Sequence, residues 1–496
     1  MQFENDIYDR KTFWRTLVGI AFAVAVQKVS GGAGFVVLVP FALAALVQRN
    51  AEKMIYWVLL VNTLVMGNGY FMPKGAVFFC ANRLVLGCFG LLGILHLFGR
   101  KKSSALAPLL WFPVYVLYMI VPSATGWQPL ISGLKIFLFT IVFFAFFGVA
   151  NTAATSPKCD ARRLRAMVLA FASFMIFGSV ALIPFPGISQ LSGEEYARAV
   201  QLGQDVTSLF KGMTWHSQSL GPIVCALFVL VFGDWAFNVR RFHKLYAALL
   251  VCCPFLIYKT SSRAGMASFI MGAVFVGYCL LQMRGAGAKW RGKILSGMAL
   301  ALCSCCVAAV AVPSVRDGVV RFAMKYDREA KAGDFNAEGM LATRQFLIDA
   351  QLENVKRSPL IGNGFQVADY MEGVQVQSWQ QLVTAPVEKG VWVTAVLEEG
   401  GWIGLVLFSS LVVAIGVSLL KRKAYTGLCL FGMLIVSNMA EFTMFSMSAM
   451  GGFIWALIFV GGVFDALRQR VDRLAGVPWG ALRGPARFPA PPPMRR

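Results

Sequence analysis

The chain has 496 residues, of which 57% are hydrophobic and only 14% charged, with a mean hydropathy of +0.65. Soluble domains run near a quarter charged, so this balance excludes a soluble protein and requires an integral membrane protein with many spans. The net charge of +22 reads as the positive-inside bias of a polytopic protein, and no nucleic-acid partner is expected.

Apolar runs of span length, bounded by charge, predict about fourteen helices. They lie at 13–29, 33–47, 54–66, 76–98, 105–121, 130–150, 164–184, 215–232, 245–258, 264–281, 294–313, 402–420, 425–441 and 447–464. Several early runs are short, which sets the expected range at about 12–14 with some tilt. The predicted fold is therefore an all-α polytopic membrane protein with one large, partly helical extracytoplasmic loop.

Basic clusters recur at every second connection. They include Arg10/Lys11/Arg15, Arg49/Lys53, Lys101/Lys102, Arg162/Arg163/Arg165, Arg240/Arg241, Lys289/Arg291/Lys293, Lys421/Arg422/Lys423 and Arg468/Arg470/Arg473. Both termini are accordingly expected in the cytoplasm. The opposite connections hold few cations, among them Lys28, Lys74 and the Lys259/Arg263 turn. The chain divides into N-terminal helices at 1–184 and central helices at 185–313, which include an outer loop at 185–213. A large outer loop at 314–401 and three final helices at 402–467 follow. The end, 468–496, is a basic cytoplasmic tail, Pro-rich near its close and expected to be disordered.

Ten of the eleven cysteines lie in apolar runs, the exception being Cys159, and none falls in the large loop. No disulfide framework is implied. Cys303 and Cys306 have CxxC spacing inside a span, where small-residue packing accounts for them.

The large loop carries interleaved charges and the turn Ser358-Pro359-Leu360-Ile361-Gly362-Asn363-Gly364-Phe365. Asn336 can cap a helix over 337–356, with Leu341, Ile348, Leu352 and Val355 as an apolar stripe at spacings of 7, 4 and 3 residues. Arg344 falls on the edge of that stripe. Walker, HExxH, DxD and GxSxG motifs are absent, and His96, His216 and His243 are the only histidines. No metal site and no cofactor are expected.

Arg263 is the sharpest single residue. It stands where the outer turn Ser261-Ser262-Arg263-Ala264-Gly265 meets a span. An arginine there must pair, snorkel or bind an anion, and its planar fork suits a lipid diphosphate. Ser262 and the small residues beside it leave room for close approach. His216 opens a span beside Trp215 and serves either as a packing histidine or as a base. Glu388, next to Lys389, is a base candidate or a partner for that lysine. Glu399 reads as a carboxylate opening the helix at 402, favoured by the positive end of the dipole.

Four stretches together resemble the O-antigen ligase and O-antigen polymerase superfamily. They are Ser261-Ser262-Arg263-Ala264-Gly265, Arg344-Gln345-Phe346-Leu347, the 358–365 turn, and Val396-Leu397-Glu398-Glu399-Gly400-Gly401-Trp402-Ile403-Gly404-Leu405. His216-Ser217-Gln218-Ser219-Leu220-Gly221 is similar to a segment that opens an earlier span in many members. The likeness covers 215–467, whereas the first half matches only as a run of helices.

The resemblance implies a metal-independent, inverting glycosyltransferase of GT-C type in a bacterial inner membrane. It would move a glycan from undecaprenyl diphosphate to a glycan or lipid-linked acceptor for O-antigen or exopolysaccharide synthesis. Arg263 and Arg344 would stabilise the leaving diphosphate. Ser262, Lys389, Gly362, Gly364 and Glu399 would contact substrate. Membrane lipids and a polysaccharide chain-length regulator are the implied partners. The ligases carry a His-Asn pair shortly before the closing Glu, where this chain has Glu388-Lys389-Gly390-Val391. That difference favours a polymerase-like member, with Glu388 or His216 as base. A lipid-linked glycan flippase or other transporter is the alternative, and it would require polar mid-span residues such as Asn62, Asn82, Arg83, Lys135 and Asn438.

Overall fold

Helices begin where a short polar side chain can satisfy the first free backbone N–H groups. Asp9 accepts from Lys11 N, Asn50 from Lys53 N, Asp160 from Arg162 N and Ser262 from Gly265 N. In the computed structural model, residues 7–98, 111–190, 210–239, 243–260, 262–283, 291–300, 304, 312–313, 337–367, 391–439 and 449–474 are described. The order is α1 (Arg10–Val29), α2 (Phe35–Val47), α3 (Ala51–Met66), α4 (Ala76–Phe98), α5 (Trp111–Thr125), α6 (Pro129–Thr155) and α7 (Ala161–Ala181). After a one-turn helix at Pro186–Ser189 come α8 (Ser217–Gly233), continued by a π-helical turn (Asp234–Val239), α9 (Lys244–Lys259) and α10 (Arg263–Gln282). The last four are α11 (Ala337–Arg357), α12 (Trp392–Lys421), α13 (Tyr425–Ser437) and α14 (Ala449–Leu474).

Seven described helices are long and apolar enough to cross a membrane: α4, α6, α7, α8 with its π turn, α10, α12 and α14. Three more, α2, α5 and α13, are apolar but shorter. The chain is an all-α polytopic membrane protein. Each predicted span except that at 294–313 coincides with a helix, and 291–300 is itself helical. The largest differences in position are at α12, which starts at Trp392 instead of near 402, and at α14, which runs on to Leu474 instead of ending near 464.

Small residues set how closely the helices approach. A Cβ on Gly90 would meet the Ile141 carbonyl at 2.6 Å, and one on Gly93 would run into Phe144, so α4 and α6 lie parallel and nearly backbone to backbone. Likewise Gly221 of α8 faces Ser262 and Gly265, and Val229 faces Gly272, which makes α8 and α10 parallel. The segment before α4 bonds to the segment before α8, through Asn68 N to Met213 O (2.9 Å) and Trp215 N to Met66 O (2.8 Å). The starts of α4, α6, α8 and α10 therefore share one end of the bundle, called the His216 end below.

Several polar side chains of the opposite end are paired. Arg165 forks onto Asp234 at 2.7 and 3.2 Å, and Asp234 also accepts from Tyr246 (2.7 Å) and Asn238 (3.1 Å). Asp465 accepts from Thr426 N, Thr426 Oγ1 and Gly427 N at 2.9–3.2 Å. Arg470 donates to the carbonyls of Ser156 and Ala154, the last turn of α6. Removing one partner of a buried pair leaves the other charge uncompensated. Asp234→Ala is expected to lower unfolding free energy by about 3 kcal/mol, read by thermal unfolding in detergent; an unchanged Tm would contradict the buried pair.

Candidate functional site

Helix α12 is two helices joined at a break. Gly401 has φ 61° and ψ −168°, a conformation that interrupts the ladder between 392–400 and 402–421. Such a break exposes carbonyls on one side and N–H groups on the other, and in an apolar bundle each needs a partner. The turn 358–364 supplies both. Asn363 N and Gly364 N donate to the Glu398 and Glu399 carbonyls at 2.9 and 3.1 Å, while Trp402 N and Ile403 N donate to the Pro359 and Leu360 carbonyls at 2.9 and 3.3 Å.

The fit leaves no room for side chains at three glycines. A Cβ on Gly362 would strike the Glu399 carbonyl, one on Gly401 the Leu360 carbonyl, and one on Gly126 the Asn363 carbonyl. Gly362 and Gly364 also take φ +89° and +114°, which favours glycine. Helices α5 and α6 close the back. Tyr118 donates its hydroxyl to Gly400 O (2.6 Å), Trp127 N bonds Asn363 O (2.8 Å), Phe365 N bonds Ser132 Oγ (2.7 Å) and buried Lys135 bonds Gln366 O (2.8 Å).

Helix α11 docks on the first half of α12 by polar contacts. Asn354 Nδ2 donates to Glu398 Oε1 at 2.8 Å, Asn363 Nδ2 donates back to Asn354 O at 3.0 Å, and Thr394 Oγ1 donates to Gln351 Oε1 at 2.5 Å. The predicted apolar stripe is corrected here. Val355 is buried, but Leu352 is 42% exposed, and Gln351 and Asn354 occupy the buried face instead. The amides win those positions because Thr394 and Glu398 offer them partners.

At the His216 end, the Thr260–Gly265 turn packs on the first turns of α8. A Cβ on Gly221 would lie 2.5 Å from Ser262 Cβ, and one on Gly265 would lie 3.0 Å from the Gly221 backbone. Ser262 is buried, and its hydroxyl caps α10 by accepting from Gly265 N at 3.0 Å. Arg263 is the first residue of α10, and His216 immediately precedes α8; both are half-buried. Two parallel helices thus present their N-termini side by side, with a guanidinium and an imidazole at their edge. Helix N-termini attract anions, and a cation placed there opposes the macrodipole unless an anion joins them.

Residues 247–409 match the O-antigen ligase family model. The match covers about a third of the chain and supports a relation to the O-antigen ligase superfamily. That family implies a membrane-bound, glycan-processing enzyme of ligase or polymerase type. No curated protein matches the chain. The matched segment runs from α9 into the second half of α12 and contains Arg263, Arg344, the 358–365 turn, Glu388 and Glu399. His216 and the first seven helices lie outside it.

The sites expected of an O-antigen ligase relative separate into two groups. His216, Ser262 and Arg263 come together at the starts of α8 and α10. Gly362, Gly364 and Glu399 come together at the α12 break. Glu399 is fully buried there, behind the turn. Its reading as a carboxylate at a helix start is corrected, because α12 begins seven residues earlier and Glu399 lies in the last turn of its first half. Arg344 lies on the backbone of α11, but its side chain falls outside the described part. Glu388, Lys389, Ser261 and the 191–209 part of the outer loop lie outside the described residues.

Sequence reading missed Tyr118, Ser132, Lys135 and Asn354 as partners of the turn and its continuation, and Gln351 as a partner of α12. Only the mid-span polarity of Lys135 signalled anything. Gly401→Ala adds a Cβ at positive φ against Leu360, so amide exchange at Asn363 and Gly364 is expected to quicken by more than about tenfold. Unchanged exchange would contradict the interlock.

Proposed function

We propose that the protein is a metal-independent, inverting glycosyltransferase acting on the outer face of the bacterial inner membrane. It transfers a glycan from undecaprenyl diphosphate to a hydroxyl of a glycan or lipid-linked acceptor. The product feeds O-antigen or exopolysaccharide synthesis, and the missing histidine near 388 favours polymerase over ligase. The observation that carries this reading is Arg263 at the paired N-termini of α8 and α10, within the segment that matches the family.

The chemistry needs little else. The bond from the sugar C1 to the diphosphate oxygen breaks as the acceptor oxygen bonds C1 from the opposite face, inverting the anomeric centre. The departing lipid diphosphate carries the electron pair, and fixed cations with helix N-termini stabilise that charge. Arg263 fills this role, with Arg344 as the second cation. The acceptor proton passes to a base, Glu388 or His216. Lys389 and Ser262 belong to the substrate contacts, whereas Gly362, Gly364 and Glu399 act through the α12 interlock. The gathering of basic residues at the end opposite His216 supports an outward-facing site and cytoplasmic termini. Lys135, one of the polar residues a transporter would use, is occupied with the Gln366 carbonyl.

In a deletion strain, Arg263→Ala is expected to cut chain extension by about 100-fold or more at normal expression, leaving single-repeat lipid-linked glycan. Long chains that stay on the carrier would identify a ligase. Glycan that never reaches the outer face would identify a transporter and overturn the proposal. Glu388→Gln and His216→Ala in the same assay separate the two base candidates, because the true base is expected to lose about 100-fold or more and the other far less.

A further inference from the structure

The loop between α3 and α4 lies outside both the family segment and the region of sequence likeness, yet it is fastened to the His216 segment. Gly67 pairs with Thr214 in an isolated antiparallel bridge. Fully buried Asn68 acts as the hub. Its backbone N–H donates to Met213 O (2.9 Å), its side-chain amide to Gly212 O (2.8 Å) and Ile188 O (3.0 Å), and its Oδ1 accepts from Tyr70 N (3.0 Å). Gly69 lies flush against the Trp215 ring, where a Cβ would overlap it.

This fastening fixes Lys74. Its ammonium stands 4.3 Å from the centre of the Trp215 ring, and Trp215 is the residue before His216. One helical turn further, Gly221 touches Ser262, the residue before Arg263. Lys74 therefore stands at the start of α8 beside His216, and the start of α10, which carries Arg263, packs one turn along α8. Lys28, in the last turn of α1, also covers an aromatic ring of this loop, that of Tyr70 at 4.0 Å, but its ammonium is engaged by the Tyr70 carbonyl. Among the described residues, no hydrogen bond or ion pair involves Lys74.

We propose that Lys74 is a further substrate-binding residue of this site, holding an anionic group, either the carrier diphosphate or an acid substituent of the glycan. The assignment rests on the proposed glycosyl transfer for its substrate. An indole face attracts the ammonium without neutralising it, so the charge remains available to a true anion. Partial burial pushes the Lys74 ammonium down to about 7, the direction expected of a cation poorly served by its present surroundings. A bound phosphate or carboxylate reverses that loss and is held the more tightly for the partial exclusion of water.

Calorimetric titration of the nanodisc-held protein with inorganic diphosphate reads binding without turnover. Lys74→Met keeps the stem on Trp215 and removes the charge; it is expected to weaken diphosphate binding by about tenfold. Lys74→Arg and the control Lys28→Met are expected to bind as the wild type does. In a transfer assay, a raised donor KM at unchanged kcat assigns the anion to the carrier diphosphate. A raised acceptor KM with intact diphosphate binding assigns it to an acidic sugar, and both results support the assignment. Unchanged titration together with unchanged KM values for donor and acceptor overturns it. A wild type that binds diphosphate through Lys74 but transfers nothing overturns the transferase reading instead, and leaves the Lys74 assignment standing.

Discussion

A helix broken inside an apolar bundle must find partners for the backbone groups it frees, and this structure meets that constraint with one turn of chain. The 358–364 turn donates to the carbonyls before the α12 break and accepts from the N–H groups after it. Four backbone bonds then do what side-chain caps do at an ordinary helix end, and each half of the motif requires the other. The arrangement fixes where α11 ends, where the chain leaves toward 368 and where it returns at 391. It also ties the large loop to α5 and α6 through Tyr118, Ser132 and Lys135, so family motifs from the second half are seated on helices of the first.

The two ends of the bundle treat charge differently. At one end, Arg165, Asp234, Tyr246 and Asn238 satisfy one another around the π-helical turn, which makes that end a structural clasp. At the other, two parallel helix starts point the positive ends of their dipoles the same way, with Arg263 and His216 beside them. A site meant to stabilise a departing diphosphate needs this asymmetry, because stabilisation that is fixed before the reaction requires no reorganisation during it.

Hydropathy alone located nearly every helix, since a run such as 76–98 admits no other reading in a bilayer. The Arg263 turn was also legible, because an arginine among small residues at a span end calls for an explanation. The interlock was not. Gly362, Gly364 and Glu399 stood out as motif residues, but their motifs lie some distance apart in the chain, and only tertiary contact shows that they bond to each other. Gly400-Gly401 looked like the start of a helix, whereas the φ of Gly401 makes it a hinge between two. The amide-lined face of α11 was hidden for a similar reason: Gln351 and Asn354 look solvated until Thr394 and Glu398 are seen opposite them. The role of Asn68 and Lys74 was invisible because nothing local joins residue 68 to residue 213.

The most direct test of the account is a reconstituted reaction. Purified protein in nanodiscs would receive a defined undecaprenyl-diphosphate oligosaccharide and its acceptor, with a chelator present throughout. Mass spectrometry would follow the lipid products, and NMR the new linkage. The account predicts lengthened or transferred glycan, free undecaprenyl diphosphate released in step with it, and an inverted anomeric centre. An intact donor with no lipid diphosphate released, or transfer that appears only when a divalent metal is restored, would contradict it.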